Sequence, residues 1–138
     1  MQIAIIDGRG GRLGAVLTEK VLKRFPQDNV TAIGINDAAT EQMRKSGVPR
    51  YATGENAVLV ACRTAKLLLG PVELVLAGSM LGKVSPAIAQ AVAQSEAMRI
   101  LVPMHPEGML VAGVGELSSS ELIEDAVQKA EQWKKGIS

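Results

Sequence analysis

Four glycines fall within seven positions near the start of the chain, in Asp7-Gly8-Arg9-Gly10-Gly11-Arg12-Leu13-Gly14, directly behind the apolar run Ile3-Ala4-Ile5-Ile6. Glycines at this density let a backbone turn tightly, and the free N–H groups of a following helix start then face an anion. The chemistry on offer is the holding of phosphate. Arg9 and Arg12 supply countercharge, whereas Asp7 opposes it: a carboxylate at a strand end repels a pyrophosphate unless Arg9, Arg12 or a metal ion neutralises it. His105 is the sole histidine and has a suitable proton affinity for a donor near neutral pH, although an exposed turn histidine is the plainer reading. No Ser-His-Asp arrangement or carboxylate pair stands out, and Asp7, Glu55 and His105 are only scattered candidates for a metal. No metal site and no catalytic residue are assigned.

The elements that must position this turn are legible around it. Ile3 to Ile6 read as a strand buried on both faces, and Leu13, Val16, Leu17, Val21, Leu22 and Phe25 recur at helical spacing. Strand, glycine turn and amphipathic helix together make the opening of a nucleotide-binding βαβ unit. The glycine frame is G-x-x-G-x-x-G on Gly8, Gly11 and Gly14: Gly8 serves the tight turn, Gly10 or Gly11 the approach to phosphate, and Gly14 the packing of helix on strand.

Val30 to Ile35 read as a second strand ending in Asn36-Asp37, about 20 residues beyond the glycines, where a dinucleotide presents its adenine ribose. Asp37 is a candidate for the ribose hydroxyl and equally for the N-cap of a helix from Ala38 to Ser46. A short edge strand over residues 48–52 precedes Thr53-Gly-Glu-Asn56. There Thr53 or Asn56 reads as a cap, with Glu55 and Asn56 reaching into the site as the functional alternative.

The helix expected from Ala57 to about Leu69 is apolar most of the way round, which suits deep burial or a subunit interface. Cys62 on it reads as core. Val72 to Ala77 read as the next strand. Gly78-Ser-Met-Leu-Gly-Lys-Val84 then lacks the spacing of a Walker loop and offers Gly78 and Ser79 to a nicotinamide or substrate group. Ser85-Pro86 opens another helix. Arg99 to Val102 read as a fifth strand, followed by a turn at residues 103–108 and an antiparallel edge strand at residues 109–114. Ser118 and Glu121 form a capping box for a closing helix with Leu122, Ile123, Ala126, Val127, Ala130 and Trp133 as its stripe.

Composition bounds the function. At 138 residues the chain reads as one domain, 1–138, without room for a separate substrate domain. A formal charge of +1 and 2% aromatic residues give nucleic acid neither a basic field nor stacking platforms. No leader or membrane-length apolar run is evident, so a cytoplasmic location is expected, with no membrane partner. One cysteine excludes an internal disulfide.

The motif I-A-I-I-D-G-R-G-G-R-L-G over the first quarter of the chain resembles the start of dihydrodipicolinate reductases, and less closely that of prephenate dehydrogenases. Both bind nicotinamide dinucleotides there. With A-T-G-E-N-A (52–57), G-S-M-L-G (78–82) and V-A-G-V (111–114), the whole chain resembles a family of small bacterial proteins carried as a domain of unknown function, which implies a fold and no activity. The expectation is an α/β, Rossmann-like three-layer sandwich of about five to six mostly parallel strands with an antiparallel edge hairpin. Its crevice would bind NAD or NADP first, and a flavin or other nucleotide second, through Asp7, Gly8, Arg9, Gly10, Gly11, Arg12, Leu13, Gly14, Asn36, Asp37, Gly78 and Ser79. The protein would be a small reductase completed by a second copy in a homo-oligomer, or else a non-catalytic nucleotide or redox sensor or assembly subunit.

Overall fold

The computed structural model describes residues 1–104 and 106–137. Five strands, β1 (Gln2–Asp7), β2 (Asn29–Gly34), β3 (Arg50–Thr53), β4 (Leu67–Pro71) and β5 (Met98–Val102), form one sheet in the order β3-β2-β1-β4-β5, with every neighbouring pair parallel. Helices α1 (Arg12–Arg24), α2 (Asp37–Arg44) and α5 (Ser119–Ile137) pack side by side over one face, and α3 (Glu55–Thr64) and α4 (Pro86–Gln94) over the other. β1 is central and apolar on both sides. Ile3 and Ile5 join Leu17, Val21, Met43, Val127 and Ala130 on one face, while Ala4 and Ile6 join Val58, Leu74, Ile88 and Val92 on the other. This burial on both faces explains why the strand carries no polar residue between Gln2 and Asp7.

From β1 the chain winds outward to β2 and β3, then crosses to β4 and β5 on the opposite side. The strand order therefore reverses between the carboxyl ends of β1 and β4, at Asp7 and Pro71. In an open parallel sheet that reversal opens a crevice.

Several expectations are corrected. No antiparallel hairpin follows β5: residues 109–114 form no strand, and the edge of the sheet stays parallel. Gly108, Gly113 and Gly115 all turn with positive φ, and Leu110 is wholly exposed, so the segment has no buried face that would hold it extended. The helix expected to reach Leu69 stops at Thr64, and Leu67–Pro71 is β4 rather than helix and punctuation. The apolar run through residues 57–69 hides this break from periodicity. Gly70 lies inside the strand because a Cβ there would sit 2.4 Å from the Ile6 carbonyl oxygen. Val72–Val75, read as strand, is a single 3-10 turn. Among the described residues no helix is long and apolar enough to cross a membrane.

Candidate functional site

The glycine turn bridges the end of β1 and the start of α1. Gly11 is the N-cap, held at φ 76°, and a side chain there would collide with the Ala39 carbonyl at 2.6 Å, which ties the turn to α2. Gly8 lies under Met80, whose Sδ would be 2.5 Å from an added Cβ. Gly14 faces the Asp7 Cβ at 2.6 Å and the Met43 thioether at 3.0 Å. These three glycines are demanded by the protein's own packing. Gly10 is not, for nothing lies within 4 Å of a Cβ built on it and its φ is not positive.

Asp7 settles much of the electrostatics. Its carboxylate reaches forward under the turn, with Oδ1 accepting from the Gly8 N–H at 2.8 Å and Oδ2 from the Gly14 N–H at 2.7 Å. The strand's last residue thus caps the helix from within, since Gly11 brings no side chain to do it. Two amides that an anion would use are therefore already taken. The N–H groups of Arg12 and Leu13 remain, with no acceptor among the described residues. Burial pushes the Asp7 carboxyl up to about 6 from its usual 3.8. The two N–H donors hold it down in part, Glu73 adds to the rise, and Arg9 opposes it.

A cavity of about 410 Å³ opens over this turn at the strand-order reversal. Asp7, Gly8, Arg9, Gly10, Gly11, Arg12 and Leu13 line it, facing Pro71, Glu73, Met80, Met104 and Glu107. Gly14 lies beneath as the Asp7 partner. Arg9, itself at φ 52°, donates from Nη2 to the buried Glu73 carboxylate at 2.5 Å. A second cavity of about 310 Å³ adjoins it, sharing Arg9, Glu73, Met80 and Glu107 and adding Gly78 and Ser79. Met80 and Leu81 both have φ near +57°, an uncommon backbone for residues with side chains. This segment buries Met80 against the glycine turn while Leu81 stays exposed.

Asn36 and Asp37 line neither cavity. Asn36, not Asp37, is the N-cap of α2, its Oδ1 accepting from the Ala39 N–H at 2.8 Å. Asp37 occupies the first helical turn, exposed and without an ion pair among the described residues. Neither Thr53 nor Asn56 caps α3. Gly54 stands at that position, Thr53 shares a hydrogen bond with Thr40, and Glu55 accepts from Ser85. Cys62 is buried, and burial raises its thiol. The His105 reading lies outside the described residues. Both Asp7 oxygens are engaged, and among the described residues no three His, Cys, Asp or Glu side chains gather to hold a metal ion.

Glu73, Met80 and Glu107 were not anticipated as site residues. For Glu73 a signal existed, since it is the one charge in the apolar stretch of residues 67–77. Met80 carries none, because a methionine beside glycines looks like any core residue.

The family model described as Domain of unknown function (DUF3842) matches residues 2–135, and the chain belongs to that family. No curated protein matches it. Among solved structures it is similar to a nucleoside-diphosphate-sugar epimerase from Pseudomonas aeruginosa (18% identity, TM-score 0.48), covering 99% of this chain and 49% of that one, so it spans about half the epimerase's length. It is also similar to a dodecameric FMN-dependent UbiX-like decarboxylase from Escherichia coli O157:H7 (11% identity, 97% and 95% covered, TM-score 0.46). A malate dehydrogenase from Cryptosporidium parvum is a third (15% identity, 51% and 24% covered, TM-score 0.32). The resemblance of the glycine motif to dihydrodipicolinate reductases has no counterpart among these matches.

Proposed function

We propose that this member of the DUF3842 family binds a dinucleotide, NAD or NADP, with its diphosphate over Gly10 and against the N–H groups of Arg12 and Leu13. One observation carries the reading: α1 starts at the crevice, and the N–H groups of Arg12 and Leu13, which line it, have no acceptor among the described residues. The exposed Arg12 guanidinium, with no ion pair among the described residues, is the countercharge. Gly78 and Ser79, in the adjoining cavity, face the nicotinamide end, and Asp37 is the candidate for the adenine ribose. Asp7 has a different role from the one its neighbours have. It is the internal brace of the turn, and it limits the site to the two amides it leaves free.

On this reading the chain is a single nucleotide-binding domain acting in the cytoplasm, and as an enzyme it would be a reductase whose site a second copy completes. A non-catalytic nucleotide or redox sensor is the second reading. In its favour, the buried acids of the cavity are already engaged, Asp7 by two amides and Glu73 by Arg9. Isothermal titration with NADH and NADPH tests the shared step. Saturable binding of either, weakened at least about tenfold by Arg12→Ala, is the expected result. No heat with NADH, NADPH or ADP removes both readings.

A further inference from the structure

Asp7 is a carboxylate held between the glycine turn and its helix, and its position bears on how an anion is admitted. Its carboxylate sits directly under the amides that a diphosphate would approach, bonded to Gly8 and Gly14, and it lines the same cavity. A second negative charge over the turn would meet this one at close range in a poorly solvated place. Relocating Asp7 would strip two buried amides of their acceptor, so the turn cannot readily dispose of it. Protonation answers both demands: a neutral carboxyl still accepts from backbone N–H groups through its remaining lone pairs.

We infer that the glycine turn takes up one proton together with each bound phosphate-bearing ligand, and that the proton settles on the Asp7 carboxyl. This inference rests on the anion-binding reading above and adds a regulatory property to it: occupancy of the site rises as the surroundings acidify. The other charged groups facing Asp7 fit this assignment. Glu73, from the turn after β4, and Glu107, from the segment after β5, add negative charge; Arg9 and Arg12, from the glycine turn itself, add positive charge. The α2 groups that close on the turn, Ala39 and Met43, are neutral. Arg9 is engaged with Glu73, and arginine does not titrate in this range. Asp7 already rests at about 6 without a ligand, close enough to neutrality for a neighbouring phosphate to carry it across.

The test is calorimetric titration of the intact chain with NADH in several buffers of different ionisation enthalpy, at pH 7.0. A diphosphate diester has no group titrating near neutrality, so any proton taken up belongs to the protein. The inference requires an uptake of roughly 0.5–1 proton per NADH and an affinity that rises roughly tenfold from pH 7.5 to 5.5. Both must vanish in Asp7→Asn, and in Asp7→Ala should the amide side chain disturb the turn. His105→Ala is run beside them and must keep the uptake. Binding without proton uptake, uptake that survives at Asp7→Ala, or uptake lost at His105→Ala overturns the inference and leaves the dinucleotide reading standing. Absence of NADH binding at every pH overturns both.

Discussion

The starts of α1 and α4 are built to opposite plans. At α4 the sequence Ser85-Pro86 closes the helix locally: the Ser85 hydroxyl accepts from the Ile88 N–H at 3.2 Å, and Pro86 has no N–H to satisfy. At α1 the N-cap is Gly11, with no side chain, and the one side-chain acceptor among the described residues is Asp7, which arrives from the preceding strand and reaches Gly14 alone in the helix. Among the described residues the α4 start keeps one open amide, that of Ala87. The α1 start keeps two, those of Arg12 and Leu13, and these residues line a cavity at the strand-order reversal. A fold that needed only a stable helix had a cheaper solution in hand at the start of α4, so the exposed start of α1 is the place to look for a guest.

The comparison can be broken most forcefully at Asp7. Its carboxyl stands at about 6 in the fold against an ordinary 3.8. A raised acid favours the fold when protonated, so its contribution is full below about pH 3.8 and is lost as the pH rises to about 6. That loss amounts to about 3 kcal/mol. Asp7→Asn does not titrate. Denaturant unfolding from pH 4 to 7 is therefore expected to show the variant less stable than wild type at pH 4, with the gap narrowing as pH rises. A constant gap would remove Asp7 from its buried bridge.

Gly14→Ala comes next. Its Cβ would press on Asp7 and Met43, and the crowding costs about 2 kcal/mol, read as a thermal midpoint lowered by several degrees. An unchanged midpoint would mean that the helix does not sit this close to the strand. At α4, Ser85→Ala deprives the Ile88 N–H of its acceptor and is expected to cost about 1 kcal/mol without affecting any nucleotide titration. A change in NADH affinity there would show that the two helix starts are not independent.

How much of this was legible follows from where each signal lies. β1, the glycine turn and α1 were readable because an apolar run, a glycine cluster and a helical stripe abut without a gap. The Ser118–Glu121 box was readable because both partners lie within one turn, and it forms as expected, with the Glu121 N–H donating to Ser118 Oγ and the Ser118 N–H to Glu121 Oε1. The boundary between α3 and β4 was not, since Leu67, Leu68 and Leu69 continue an apolar helix and turn to strand only through pairing with β1 and β5. The hairpin after β5 failed for the reverse reason. Met109-Leu-Val-Ala has strand-like composition, but no partner strand takes it up.

Within the site, Gly14 packs helix on strand as the sequence leads one to expect, and Gly8 and Gly11 are also required by packing. All three are spacers between protein groups, and a side chain on Gly11 would strike the Ala39 backbone rather than a ligand. The repulsive charge of Asp7 was recognised in the sequence. That it would be held by Gly8 and Gly14, and not by Arg9 or Arg12, depends on a seven-residue loop closing on itself, which no linear pattern announces.

Gly10 is what remains, and it gives the most direct measurement. Gly10→Ala adds a methyl group that touches no protein atom within 4 Å and needs no unusual backbone, so the fold is expected to keep its stability to within about 0.5 kcal/mol. The same methyl group would stand where the proposed dinucleotide site holds its diphosphate. Thermal unfolding and NADH titration of this one variant beside wild type should give matching midpoints and an affinity weakened at least about tenfold. Equal affinity in the two proteins, or no affinity in wild type, would contradict an open amide site above Gly10.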